Sequence, residues 1–138
     1  MAAKQFQGTF FTLGYPAEWE LEIVENIPCM FDLEAGWVLQ LAASTLKDGG
    51  NYDLNSEFTR YLEINQIEFQ EDRVVRYENA SGLDCLAAEF MKDNRFWLVQ
   101  MIARGPRLLA ALFNSDQVPD QELAAQISAT VGSIQFQD

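Results

Sequence analysis

Few side chains in this sequence have both the type and the spacing to do chemistry. The 138 residues contain no histidine, which removes Ser-His-Asp and Cys-His catalysis, imidazole acid–base work and most transition-metal sites. Ser44-Thr45-Leu46-Lys47 has the Ser-x-x-Lys spacing of certain acyl-transfer enzymes. In those the serine opens a helix, so that the lysine one turn on reaches its hydroxyl. Ser44 instead closes an apolar strand-like run, and the companion motifs of that chemistry are missing. Asp48-Gly49-Gly50-Asn51-Tyr52-Asp53 collects carboxylate and amide oxygens on one loop. A calcium loop would alternate acidic ligands over about twelve positions and end in Glu, so turn chemistry accounts for these residues better.

The other reactive groups are isolated. Cys29 and Cys85 lie far apart among apolar neighbours, without CxxC or other metal-ligand spacing. Such thiols are inert core residues unless a cation such as Arg95 or Arg104, or a helix N-terminus, stabilises the thiolate. Glu89 interrupts an apolar strand pattern. Facing inward it would need Arg95 or Arg73 as a partner and would be a candidate general base; facing outward it is an ordinary alternating residue, the simpler account. Arg104 and Arg107 flank Gly105-Pro106 and form the one concentrated positive spot. They suit a carboxylate or phosphate, or else a solvated hairpin tip. Trp97 reads as core, whereas Trp19 and Trp37 lie at strand starts, where a half-exposed aromatic can anchor a partner. No metal or cofactor is expected.

These groups hang on one organising stretch, Arg95 to Asn114. It is the most apolar passage of the chain and breaks once, at Arg104-Gly105-Pro106-Arg107. Two cations and a Gly-Pro turn signal at its midpoint argue against a membrane helix. It reads as two antiparallel strands, with Phe96, Trp97, Leu98, Val99, Met101 and Ile102 against Leu108, Leu109, Leu112 and Phe113. Near-continuous apolarity places this hairpin centrally in a sheet, covered on both faces.

Taken in order, Thr9–Leu13 is a short strand ending in a Gly14-Tyr15-Pro16 turn. From Glu18 to Ile23, acids alternate with Trp19, Leu21 and Ile23, the pattern of a half-buried strand whose charged row discourages edge pairing. Asn26-Ile27-Pro28 breaks it. Cys29–Leu33 and Trp37–Ser44 are further strands. A helix follows, capped by Asn55 or Ser56, with Leu54, Phe58, Tyr61, Leu62 and Asn65 at helical spacing and Ile64 and Phe69 near its far end. Arg73–Glu78 and Leu83–Met91 precede the central hairpin. A last helix begins near Pro119 and carries Leu123, Ala124, Ile127, Val131 and Ile134. Ile134-Gln135-Phe136 packs as an extended tail. The reading is α+β: an antiparallel sheet of about six to eight strands covered by two main helices, residues 1–138 forming one domain.

Composition agrees with an ordinary packed core. Apolar residues make up 49% of the chain and the net charge is -12, from 21 acids and 9 bases. The acids crowd toward the front, where Glu18, Glu20, Glu22, Glu25, Asp32 and Glu34 form an acidic face. Such a balance disfavours nucleic acid and anionic membranes; a solvated acidic surface is the simpler account of it, and a basic partner the alternative. The N-terminus lacks a signal-peptide core, so a cytoplasmic protein with reduced thiols is expected, and the sequon Asn79-Ala80-Ser81 carries no weight.

Two short motifs carry a resemblance. Tyr15-Pro16-Ala17-Glu18-Trp19 resembles the aromatic-Pro-x-x-Trp opening of the PsbP-like superfamily, and Gly132-Ser133-Ile134-Gln135-Phe136 resembles its closing segment. The succession of strands, helix, four strands and helix matches along nearly the whole chain. That group includes PsbP of photosystem II, a Ran-binding nuclear-import factor and single-domain bacterial relatives, some of them chaperones or adaptors. The resemblance implies the α/β/α sandwich and a protein partner, with no shared catalytic site. Lacking the extended N-terminal region of PsbP, this chain is not expected to serve photosynthesis.

The expected function is therefore a non-catalytic adaptor or chaperone-like module. It would bind a protein through Tyr15, Trp19, Glu20, Glu22 and Trp37, with Arg104 and Arg107 as further contacts, by way of an exposed apolar patch beside the acidic strand. Two other classes stay open. One is a cofactor-free enzyme or small-ligand carrier with Glu89 and an arginine in a pocket between sheet and helix. The other is a homodimer joined through an edge strand, against a monomer.

Overall fold

Strand-period and helix-period patterns resolve into ten strands and two helices in the computed structural model, which describes residues 3–32, 34–67 and 73–137. Five strands come first: β1 (Ala3–Gln7), β2 (Phe11–Pro16), β3 (Glu20–Val24), β4 (Ile27–Asp32) and β5 (Trp37–Thr45). Helix α1 (Leu54–Ile64) separates them from β6 (Val75–Glu78), β7 (Asp84–Lys92), β8 (Arg95–Arg104) and β9 (Arg107–Ser115). Helix α2 (Gln121–Gly132) and β10 (Gln135–Phe136) follow. The expected end of the first helix at Phe69 and of a strand at Leu33 lie outside the described residues.

The main sheet has seven strands in the order β3-β4-β5-β9-β8-β7-β6, antiparallel throughout, and β9 occupies its middle. The central hairpin pairs Leu98 with Phe113, Val99 with Leu112 and Ile102 with Leu109. Gly105 at φ 59°, followed by a proline whose ring holds φ near -65°, suits a type II′ turn, whose twist matches the flanking strands. Because side chains alternate, each strand feeds two cores. Phe96, Ile102, Leu109 and Phe113 join Leu13, Trp37, Ile127, Val131 and Ile134 on one face. Val99, Met101, Leu108 and Ala110 meet Leu54, Phe58 and Leu62 of α1 on the other. Fully burying a side chain such as Phe58 or Leu62 contributes about 1.5–3 kcal/mol.

A second sheet, not foreseen from the sequence, has the order β1-β2-β10 and shares one face of the main sheet with α2. The expected Gly14-Tyr15-Pro16 turn is strand instead. Gly14 pairs with Gln5, and its N–H donates to Ser133 Oγ at 2.9 Å, so the segment has a strand on one side and the cap of α2 on the other. The turn comes later, closed by Trp19 N–H to Pro16 O at 3.1 Å.

Both helix starts shift by a cap. Asp53 Oδ1 accepts from Ser56 N–H at 3.2 Å, so Asp53 caps α1 in place of Asn55 or Ser56. Asp120 Oδ1 accepts from Leu123 N–H at 2.8 Å, leaving Pro119 just outside α2. A carboxylate at the N-cap satisfies an amide that the helix itself cannot. No helix among the described residues is long and apolar enough to cross a membrane.

Candidate functional site

The acidic strand becomes the border of the main sheet. β3 pairs only with β4, from Glu20 opposite Phe31 to Val24 opposite Ile27. Among the described residues no strand lies along its outer side, so alternate backbone N–H and C=O groups there point away from the sheet. The connection to β4 is a two-residue turn with Glu25 at φ 51° and Asn26 at φ 68°. That is the left-handed pair required by a type I′ hairpin, for which asparagine is well suited. Ile27 and Pro28 therefore belong to β4 rather than to the break expected there. Pro28 costs no ladder bond on its far side, because β4 meets β5 only from Cys29 onward.

On this strand Glu20, Glu22 and Val24 share one face, and Leu21 and Ile23 the other. Leu21 packs on the core, but Ile23 is 54% and Val24 47% exposed. Beside Ile23 opens a cleft of about 730 Å³. Its floor is Leu41 to Ala43 of β5, and its walls are the hairpin tip at Ile27 and Pro28 and the β1–β2 segment around Phe6, Gly8 and Phe11. Glu25 and Asn26 stand on its rim. Acidic groups, exposed β-branched side chains and unpaired backbone thus meet at one edge.

The aromatic anchors expected at this edge are not there. Tyr15, Trp19 and Trp37 are only 7%, 3% and 5% exposed, which corrects their assignment to a surface patch. The Trp19 and Trp37 rings meet edge to face with centroids 4.7 Å apart, and Trp37 also contacts Phe113 at 5.9 Å. The cause is the cover formed by α2 and the small sheet, which supply Leu13, Ile127, Val131 and Ile134 to the same core. The side chain of Trp97, expected in the core, is half-buried and stacks on Phe90 at 6.2 Å.

The two arginines of the central turn have separate settings. Arg107 lays its guanidinium over the Phe10 ring, 5.4 Å from the centroid, while Arg104, its register partner, is exposed. Arg104 also lines a polar cleft of about 510 Å³ with Tyr52, Asp53, Asn55, Asp84 and Arg76. Arg76, which drew no attention in the sequence, donates there to Asn55 Oδ1 at 2.5 Å. A third, apolar cleft of about 360 Å³ runs between Tyr15 and Pro16 and the α2 residues Ala129 and Thr130.

The remaining candidates take ordinary roles. Glu89 points outward, is exposed and lines none of these clefts. Arg95 donates to Asn114 Oδ1 at 2.7 and 3.1 Å. Ser44, next to the last residue of β5, has its hydroxyl 3.0 Å from that of Tyr52, and Lys47 lies beyond the strand in the loop rather than a helical turn away. Asp48 Oδ1 accepts from Gly50 N–H at 2.9 Å, and Asp53 is committed to its cap, so both loop acids serve local turns. Among the described residues no three His, Cys, Asp or Glu side chains gather to hold a metal. Cys29 and Cys85 are buried and unpaired with each other. Burial pushes the Cys85 thiol up, and it also pushes up the Tyr77 phenol, which donates to Gln100 Oε1. Asn79 is buried, and its side chain is occupied by three hydrogen bonds, which closes the sequon to a glycan in the folded protein.

No protein-family model matches the chain, and no curated protein matches it. Solved structures do. The chain is similar to a protein of Bacteroides thetaiotaomicron with TM-score 0.69 and 14% identity, over 100% of this chain and 50% of that one. It therefore spans half the length of that structure. It is also similar to the solution structure of cyanobacterial PsbP (CyanoP) from Synechocystis, with TM-score 0.68 and 12% identity, over 98% of this chain and 92% of that one. The fold is PsbP-like. The two motifs that carried the resemblance feed one core, where Tyr15 and Trp19 join Ile134. Each also overlaps a strand of the small sheet, Tyr15-Pro16 in β2 and Gln135-Phe136 in β10.

Proposed function

We propose that this protein is a non-catalytic binding module, an adaptor or chaperone-like protein of the cytoplasm, and that it receives a protein partner at the β3 edge. One observation carries the reading: Ile23 and Val24 stand exposed on a border strand, unpartnered among the described residues, whose other exposed side chains are carboxylates. Large apolar groups grouped on an open sheet edge favour aggregation unless something covers them. The net charge of -12 selects against nucleic acid and for a partner with positive charge. In a reducing compartment the two buried thiols stay reduced.

Photo-crosslinking in the producing cells tests this. A benzoylphenylalanine at position 23 is expected to trap one defined protein, and the same group at position 89, on the exposed side of β7, to trap none. Equal labelling from both positions, or none from position 23, rejects the reading.

A further inference from the structure

Resting on that reading, we infer that the partner is an extended segment carrying Lys or Arg at every second position, and that it adds to β3 as a further antiparallel strand of the main sheet. The length of β3, the direction of its side chains and its charge all bear on this choice.

A strand laid against Glu20–Val24 would satisfy the outward backbone groups of Leu21 and Ile23, the alternate residues that do not bond to β4. Its side chains would stand about 5 Å from those of β3 on each face. On one face it meets Glu20, Glu22 and Val24, which calls for cation, cation and apolar group in turn. On the other it meets Leu21 and Ile23, which calls for apolar groups, the second of them beside the mouth of the 730 Å³ cleft. A segment alternating basic and β-branched residues matches Glu20, Leu21, Glu22 and Ile23, and meets Val24 with the alkyl stem of a basic side chain.

A second copy of this chain does not match. Full-length antiparallel self-pairing puts Glu22 against Glu22 at the dyad, and parallel pairing puts every carboxylate against its own equivalent. Like charges directly opposite destabilise a pair of strands, and each copy brings a net charge of -12. The acidic row by itself would be explained as protection against edge pairing. Ile23 and Val24, more than 45% exposed on the same strand, are not explained by protection.

Synthetic peptides decide the question by amide chemical-shift titration and hydrogen exchange on the full chain. The probes are an alternating Lys-Val nonapeptide, a peptide of the same composition with its lysines in one block, and an alternating Glu-Val peptide. The alternating Lys-Val peptide is expected to shift the amides of residues 20–24 and to protect those of Leu21 and Ile23, which face outward. Glu20→Lys with Glu22→Lys is expected to weaken it about tenfold, as two cross-strand pairs turn from attraction to repulsion, and to let the Glu-Val peptide bind. Equal binding of the blocked peptide overturns strand addition, since charge alone would then suffice. Concentration-dependent dimerisation that protects Leu21 and Ile23 also overturns it, in favour of a second copy. If position 23 crosslinks a partner while the alternating peptide fails to bind, the inference falls and the binding-module reading stands; if both fail, both fall.

Discussion

Replacing Asn79 by alanine should cost this protein about 3 kcal/mol of stability. The side chain is 8% exposed and joins two distant parts of the fold. Its Oδ1 accepts from the N–H groups of Ser81 and Leu83, both at 3.0 Å, and its Nδ2 donates to Ile134 O at 3.0 Å. Truncation strands one buried amide and one buried carbonyl, at about 1–3 kcal/mol for each group left unpaired. Ser81 lies where water can reach and adds little. Unfolding entropy for a chain of this size is about 0.3 kcal/mol/K, so the melting temperature should fall by about 10 °C. Circular dichroism melts and urea titrations of Asn79→Ala measure this, with the exposed Asn51→Ala as a control expected within about 0.5 kcal/mol of the parent. A loss below about 1 kcal/mol would mean that water replaces these bonds, and the account of Asn79 as a buried tie would be refuted.

Other measurements probe different parts of the fold. Gly8→Ala places a methyl group 2.3 Å from a ring carbon of the buried Phe11 and should destabilise by about 1–3 kcal/mol, read as a lower urea midpoint with an unchanged slope. Tyr77 and Cys85 both have pKa values raised by burial, so the folded state holds their protons more tightly than the unfolded one. Their contribution is fully present below the ordinary thiol and phenol values and is lost as pH climbs above about 9; Tyr77→Phe should flatten that alkaline decline in a series of urea titrations. Cys85 is fully buried and should react with a thiol reagent only at the rate of unfolding, so stoichiometric labelling in native buffer would contradict its placement. Arg107→Ala removes the cation from over Phe10 and should cost about 0.5–1 kcal/mol, with Arg107→Lys recovering part of it.

What the sequence made legible follows from how local each signal is. The central hairpin could be read because both runs are continuously apolar and the Gly105-Pro106 turn lies between them. The acidic row was equally plain, and Glu89 faces out as alternation implies. β1 escaped notice because Lys4, Gln5 and Gln7 are polar and exposed, and only pairing with β2 makes them a strand. That β3 lies at the border was open, since sheet order depends on β5 pairing with β9, far along the chain. Trp19 and Trp37 were misjudged for the same reason. Strand position suggests a half-exposed ring, but Ile127 and Ile134, about a hundred residues away, contribute to the core that covers them. Ile23 and Val24 carried a local signal, two β-branched residues following the acids, that gains meaning only from the missing neighbour.

The small sheet also sets a timetable for the growing chain. β2 needs β1 on one side and β10 on the other, and Gly14 needs Ser133. A ribosome delivers the first two strands long before residue 136, so Phe10, Phe11 and Leu13 leave the exit tunnel without their cover. The seven-stranded sheet can form once β9 has emerged, but its face toward Ile134 stays open until the last elements arrive. Folding of this domain therefore completes only after β10 has emerged, and nascent chains stalled before α2 should expose an apolar sheet that trigger-type holdases would recognise.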